Sequence, residues 1–401
     1  MKYSSFFKAA AGVALAAMVL SCGPKKLSDK EILTLIYNST GGAEWSEYNQ
    51  DGWLVEEDLA DWHGVKVNEE GRVIELSLSE AQGPIPAEIG GLTELESIYL
   101  NVELSDEEKE NPSALPVPLS LSKLEKLRSL DIRCTDAHCE VPSLENMPFL
   151  EELRLSFRGA AYPVVTSTGL TQLYLNGFDG PITEWVYAQG NLKELSINPD
   201  KLEGGISPDI RNLSCLERLN VDYSLFIGSV DVPDSELPAA EIFENLKNLK
   251  YVFLRGCSTS GVLPESIGDM PELKSLILCD LGLTGELPKE LGNLPKIETL
   301  EIYSQEITGE IPAELFNAVS LKQLWLQRNH LSGPLPKEIG NLVNLESLYI
   351  AKNELSGKIP AELAKCTKLG KGVFTDFSDN QFSEDIPEQV KSMEYFSKFK
   401  F

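Results

Sequence analysis

The chain has 401 residues, 62 of them acidic against 35 basic, for a formal net charge of −27. Such a surface repels phosphate backbones and anionic headgroups at long range, which makes nucleic acid a poor partner. With 42% apolar residues the chain is not disordered, and its length exceeds what one ordinary core supports, leaving several domains or a repeat array.

At the N-terminus, Lys2 and Lys8 accompany an apolar stretch, Ala9 to Leu20, that falls short of the roughly 20 residues a membrane-crossing helix needs. It ends at Val19-Leu20-Ser21-Cys22-Gly23, which resembles the lipobox of bacterial lipoproteins. That resemblance implies removal of residues 1–21 as a signal peptide and a lipid on Cys22. The protein would then be held at a membrane of the bacterial cell envelope through that lipid alone, whether outer membrane, cell surface or periplasmic face. The other possibility is an ordinary signal peptide cut nearby; both mean export.

Residues 22–71 follow as a linker and cap. Ser28 is placed to N-cap a helix over about Asp29 to Asn38, with Glu31 three residues on completing a capping box. Trp45, Trp53 and Trp62 come next, and Asn68 to Arg72 forms a turn into the first strand.

Strand segments then recur at irregular spacing, at Val73 to Leu78, Leu95 to Leu100, Leu127 to Ile132, Leu150 to Leu155, Leu170 to Leu175, Leu192 to Ile197 and Leu216 to Val221. Insertions at Ser105 to Pro118 and Asp231 to Glu241 are rich in acidic residues and Pro and are expected to be surface loops. From Leu249 the period becomes a strict 24 residues, with units opening at Leu249, Leu273, Ile297, Leu321, Leu345 and Leu369. In Leu321, Leu324 and Leu326 the spacing shifts to period two, a short strand with Leu324 and Leu326 facing inward. Asn329 enters the turn, where a buried amide bonds free backbone groups.

These units fit L-x-x-L-x-L-x-x-N-x-L, and G-x-[IL]-P recurs at Gly261 to Pro264, Gly285 to Pro288, Gly309 to Pro312, Gly333 to Pro336 and Gly357 to Pro360. The chain thus resembles the plant-type leucine-rich-repeat family, found also in bacterial exported proteins. The resemblance implies an α/β repeat solenoid, right-handed, curved and twisted, with a parallel β-sheet on its concave face. It also implies a second short strand at G-x-[IL]-P and a helical N-terminal cap. Repeats span residues 72–388, and the short aromatic, basic segment 389–401 is expected to close the far end. The Asn position departs from the family at Thr135, Arg158, Phe178, Asp200, Ser224, Cys257, Leu281 and Gln305, so a regular Asn ladder is expected only at Asn329, Asn353 and Asn380.

Seven cysteines are too few and dispersed for a disulfide framework. Cys134 and Cys139 are close enough to close a small loop; with His138 and Asp136 they lack the second ligand pair of a zinc site, so no metal or other cofactor is expected. Cys215 and Cys366 are expected as small buried side chains. His63, His138 and His330 are scattered and lie near no nucleophile turn, so no catalytic residues and no enzyme are expected.

Binding has better material. The fifth positions of the strand pattern read Ser77, Tyr99, Asp131, Arg154, Tyr174, Ser196, Asn220, Phe253, Ile277, Glu301, Trp325 and Tyr349. They point to the concave side, so Tyr251, Phe253, Tyr303, Trp325 and Tyr349 share one patch. These aromatics are either anchors for a protein or glycan partner or a cross-strand packing ladder. A recognition module of the cell envelope is the leading expectation, ahead of an envelope assembly component and of a glycan or peptide hydrolase.

Overall fold

A computed structural model describes residues 26–103, 117–134, 141, 144–202, 205–223, 237–257, 259–372 and 374–401. Cys22 with the expected signal peptide, Cys139, His138, and most of the Ser105 to Pro118 and Asp231 to Glu241 segments lie outside the described residues.

The period-two segments become one sheet. Among the described residues it has 15 strands, with an unbroken row running from Val65–Val67 to Thr375–Asp376. The first pair, Val65–Val67 with Val73–Gln82, is an antiparallel hairpin, closed by a turn in which Asn68 Oδ1 accepts from the amides of Glu70 and Arg72. Every later pair along the row is parallel. Alternation decides which side chains face the core: Leu300, Ile302, Leu324 and Leu326 are all buried beneath their strands. No single turn could bury this face alone, so stacking supplies the stability.

Each regular unit returns along the convex side through one 3-10 turn, at Glu265–Asp269, Lys289–Asn293, Ala313–Asn317, Lys337–Asn341 and Ala361–Lys365. The Pro of G-x-[IL]-P is the N-cap in every case, its fixed φ setting the chain up to coil. Just before it, short second strands pair parallel: Thr284–Glu286 with Glu306–Thr308, and Ser332–Pro334, Glu354–Gly357 and Gln381–Phe382 as a group of three. The Gly of the motif is required twice over. Gly309 has φ +80°, and a Cβ there would lie 2.7 Å from the Glu286 side chain of the preceding turn.

Buried amides stitch the C-terminal turns together. Asn353 Nδ2 donates to the carbonyls of Leu326 (2.9 Å) and Ile350 (3.0 Å), while its Oδ1 accepts from Leu331 N. Asn329 and Asn380 donate to their preceding turns in the same way. The ladder starts one unit earlier than the asparagines do. Gln305 accepts from the amides of Leu281 and Leu283 and donates to the carbonyls of Leu278 and Tyr303, its longer arm doing what Asn does elsewhere. Further upstream the substitute is apolar: Phe157 and Phe178 are buried with ring centroids 5.9 Å apart. Phe157, not Arg158, takes the inward place, because the strand Glu152–Ala161 simply continues its alternation.

Two further expectations need correction. The last unit is displaced: Asp376 stands opposite Tyr349, three residues later than an opening at Leu369 requires, because Gly370 and Gly372 both donate to the Glu346 carbonyl in an extra turn. Cys215 is exposed, whereas Cys366 is buried.

Both ends of the stack are covered. The helix Asp29–Ser39 has the capping box, with Glu31 N donating to Ser28 Oγ and Ser28 N donating to Glu31 Oε2. Its Ile32, Leu33 and Ile36 are buried, and Trp45, Trp53 and Trp62 pack in sequence at centroid distances of 5.2 and 5.0 Å. Each indole N–H finds a backbone carbonyl, so these rings enter the core without an orphaned donor. At the other end Phe377 stacks on Phe401 at 5.0 Å, Val390 is buried, and Lys400 forms backbone hydrogen bonds with Phe377 and Thr375.

Candidate binding face

In-register parallel pairing carries the fifth position of each unit straight across the sheet. Phe253 stands opposite Ile277, Ile277 opposite Glu301, Glu301 opposite Trp325, and Trp325 opposite Tyr349. Adjacent strands lie about 4.8 Å apart, so these side chains form one continuous row. Tyr251 and Tyr303 belong to the same face, two residues before Phe253 and two after Glu301 along their strands.

The five aromatics singled out from sequence therefore share a face, but the structure does not gather them into one cluster. Trp325 and Tyr349 meet edge to face at 6.1 Å, and both touch Phe374, at 5.4 Å from Trp325 and stacked at 5.6 Å on Tyr349. Trp325 Nε1 donates to Ser347 Oγ at 3.0 Å, which fixes the indole plane. Phe253 is separated from this trio by Ile277 and Glu301. Tyr251 lies under the Arg218 guanidinium, 4.2 Å from the ring centroid. Tyr303 is hydrogen-bonded to the Cys279 thiol, whose own Sγ lies 3.0 Å from Asp280 Oδ2; burial pushes the Tyr303 hydroxyl up and the thiol up to about 12.

Phe374 escaped the sequence pattern because the three-residue displacement hid its place. The strand register pairs Leu348 with Thr375 and Tyr349 with Asp376, which puts Phe374 in line with Ser347, the outward position two before Tyr349. The turn asparagines could have revealed it, since Asn380 follows Asp376 at the same interval as Asn353 follows Tyr349. Phe374 is 44% exposed, which makes it the most open ring of the trio.

Glu301 was read from sequence as one of a row of fifth positions and turns out to be its oddest member. It is 7% exposed although it points to the concave side. Burial pushes its carboxyl up to about 7.

The N-terminal half of the same face is polar, and many of its side chains bond to one another, although the buried Asn198 Oδ1 has no hydrogen-bond partner among the described residues. Arg154 lies 3.9 Å over the Tyr174 ring and is hydrogen-bonded to Glu152 at 2.6 Å and to Gln172; Asn176 donates to Ser156 Oγ and Asn220 to Ser196 Oγ.

Elsewhere, His330 sits exposed between Glu306 and Glu354 at 3.1 and 3.3 Å, and His63 packs on the Tyr48 ring at 4.2 Å. Among the described residues no group of His, Cys, Asp and Glu could hold a metal ion, and no helix is long and apolar enough to cross a membrane.

Residues 229–398 match the family described as a leucine-rich repeat region. No curated protein matches the chain. Among solved structures, PEPR1 with AtPEP1 is 24% identical, with a TM-score of 0.67 over 91% of this chain and 53% of that one. A TDR receptor is 27% identical, with a TM-score of 0.66 over 81% of this chain and 53% of that one. The plant peptide hormone receptor RGFR1 in complex with RGF2 is 26% identical, with a TM-score of 0.53 over 79% of this chain and 56% of that one. The chain thus spans little more than half the length of each of these structures. With its 24-residue units, its parallel sheet and its buried amide ladder, the chain folds as a leucine-rich-repeat solenoid.

Proposed function

We propose that this protein is a recognition module of the bacterial cell envelope, anchored through a lipid on Cys22, that grips a protein partner with the C-terminal half of its concave face. The observation that carries this is the Trp325, Tyr349 and Phe374 cluster, half-buried to exposed on a face where folding requires no aromatic side chain. Rigid rings on a preformed sheet lose little entropy on binding, which suits them as anchors. The likeness to a plant peptide hormone receptor in complex with RGF2 supports a polypeptide as the partner, and the scattered histidines support binding over catalysis.

The test is Trp325→Ala combined with Tyr349→Ala in the full-length protein. Affinity for a partner recovered by pull-down should fall about 30-fold or more, equivalent to ~2 kcal/mol, with the fold intact by circular dichroism. Affinity that holds while thermal stability falls steeply assigns these rings to the scaffold. Intact-mass analysis tests the anchor separately: an unmodified mature N-terminus removes Cys22 from the proposal.

A further inference from the structure

Glu301 is the one charged side chain in the row Phe253, Ile277, Glu301, Trp325, Tyr349. It is more than nine-tenths buried, yet among the described residues it has neither an ion pair nor a hydrogen-bond partner. Alternation along Thr299–Tyr303 sends Leu300 and Ile302 into the core and Glu301 to the concave side, so what covers it is its neighbours on that face. Ile277 flanks it on one side, Trp325 on the other, and Tyr303 stands two residues on along its own strand.

An unpaired carboxylate in such surroundings is costly, and nothing in the fold uses it. Ile277 at the equivalent place in the preceding unit shows that an apolar side chain fits the row. Among the described residues no positive charge on this face pairs with Glu301: Arg218 lies over the Tyr251 ring, Lys322 pairs with Glu298 and Lys250 with Glu217, and Arg255 acts on Cys279 and Tyr303. The carboxylate is thus an anionic point framed by an aliphatic and two aromatic side chains, open only toward the concave side. A lysine or arginine matches this arrangement in each part. Its apolar stem packs between Ile277 and the rings, its cation lies against π-faces, and its N–H groups reach the carboxylate.

We propose that Glu301, framed by Ile277, Tyr303 and Trp325, is the specificity-determining residue of the concave face and receives a lysine or arginine side chain of the partner polypeptide. This rests on the concave face being the binding surface. The net charge of −27 draws basic segments toward the protein generally; Glu301 selects where one basic side chain docks.

The experiment is selection of a random dodecapeptide display library on the immobilised full-length protein, run in parallel on Glu301→Gln and on Trp325→Ala with Tyr349→Ala. Glu301→Gln keeps the size of the side chain and every other acidic residue, so attraction caused by bulk charge survives in it. Peptides enriched on the parent should carry Lys or Arg beside apolar residues. Their affinity should fall about tenfold or more on Glu301→Gln, while the same peptides with norleucine in place of the basic residue bind both proteins alike. A basic preference that Glu301→Gln retains overturns the assignment, and so does the absence of any enrichment. Peptides that need Trp325 and Tyr349 but show no basic preference overturn the role of Glu301 and leave the concave face as the binding surface. Enriched peptides that bind the Trp325→Ala, Tyr349→Ala protein unchanged overturn the surface itself.

Discussion

From Arg154 to Asn220 the outward side chains of the sheet bond to one another: guanidinium to ring and carboxylate, amide to hydroxyl. From Phe253 to Tyr349 the fifth-position side chains are aromatic or aliphatic except for the unpaired carboxylate of Glu301. The two halves differ beneath the surface as well. The first runs strands of ten and nine residues, Glu152–Ala161 and Gln172–Gly180, with Phe157 and Phe178 filling the turn; the second has strands of three residues, Gln323–Trp325 and Ser347–Tyr349, ended by a buried Asn. The contrast has one cause. Backbone groups leaving the strand must be satisfied, either by continuing the ladder with the next strand or by a side-chain amide that lets the chain turn at once. The amide solution frees residues for a second short strand at G-x-[IL]-P, and only the regular units form the group Ser332–Pro334, Glu354–Gly357 and Gln381–Phe382.

That contrast can be broken first at the layer common to both halves. Leu324→Ala removes a side chain 1% exposed and should cost ~2–5 kcal/mol in chemical denaturation, through lost burial and the cavity left behind. Because each unit leans on its neighbours, the loss should spread to adjoining turns and lower their hydrogen-exchange protection too. A denaturation curve equal to the parent's would mean that the inward register is wrong.

The second prediction separates the two ways of turning. Asn353→Ala deletes the donors to Leu326 and Ile350 and the acceptor of Leu331 N, leaving buried backbone groups unpaired. It should cost ~2–3 kcal/mol, measured by equilibrium unfolding. Asp200→Ala, at the equivalent position of the N-terminal half, should cost less, since Asp200 accepts from Gly159 N and remains partly exposed. Equal losses at the two sites would erase the distinction between the amide-turned and ladder-continued halves.

The smallest expected effect concerns the carboxyl that has no counterpart in the polar half. Glu301 is raised in the folded protein from an ordinary 4.5 to about 7, so the fold holds its proton more tightly than the unfolded chain does. The penalty for ionising it is therefore fully present above about pH 7 and vanishes as pH falls below the unfolded value. Glu301→Gln should be more stable than the parent at alkaline pH, with the gap closing between about pH 7 and pH 4.5. A pH-independent difference would show that Glu301 is already compensated in the free protein.

Much of this architecture was legible because leucine spacing is a direct record of which side chains face inward. The strands from Val73 to Val221 and the 24-residue units from Leu249 follow from it, as does the shared face of Tyr251, Phe253, Tyr303, Trp325 and Tyr349. The amide role of Gln305 was hidden because pattern matching asks for Asn, whereas the backbone asks only for an amide of sufficient reach. Phe374 was hidden by the extra turn at Gly370 and Gly372, which no hydrophobic period reveals. Glu301 stood in plain view as a residue, but its isolation depends on what its neighbours fail to offer.

The two ends of the sheet bear on how a partner can approach. The row begins with Val65–Val67, three residues with a register irregularity and the charged Lys66 at its centre. It finishes at Thr375–Asp376, where Lys400 accepts from the amide of Phe377 and donates to the carbonyl of Thr375. An exposed sheet margin is an invitation to add a strand from another chain, by β-augmentation or by end-to-end polymerisation. Here one margin is blunted and the other is occupied by the chain's own C-terminus. A visitor is left to lie across the strands, and along the regular units it meets side chains 24 residues apart in sequence at each step.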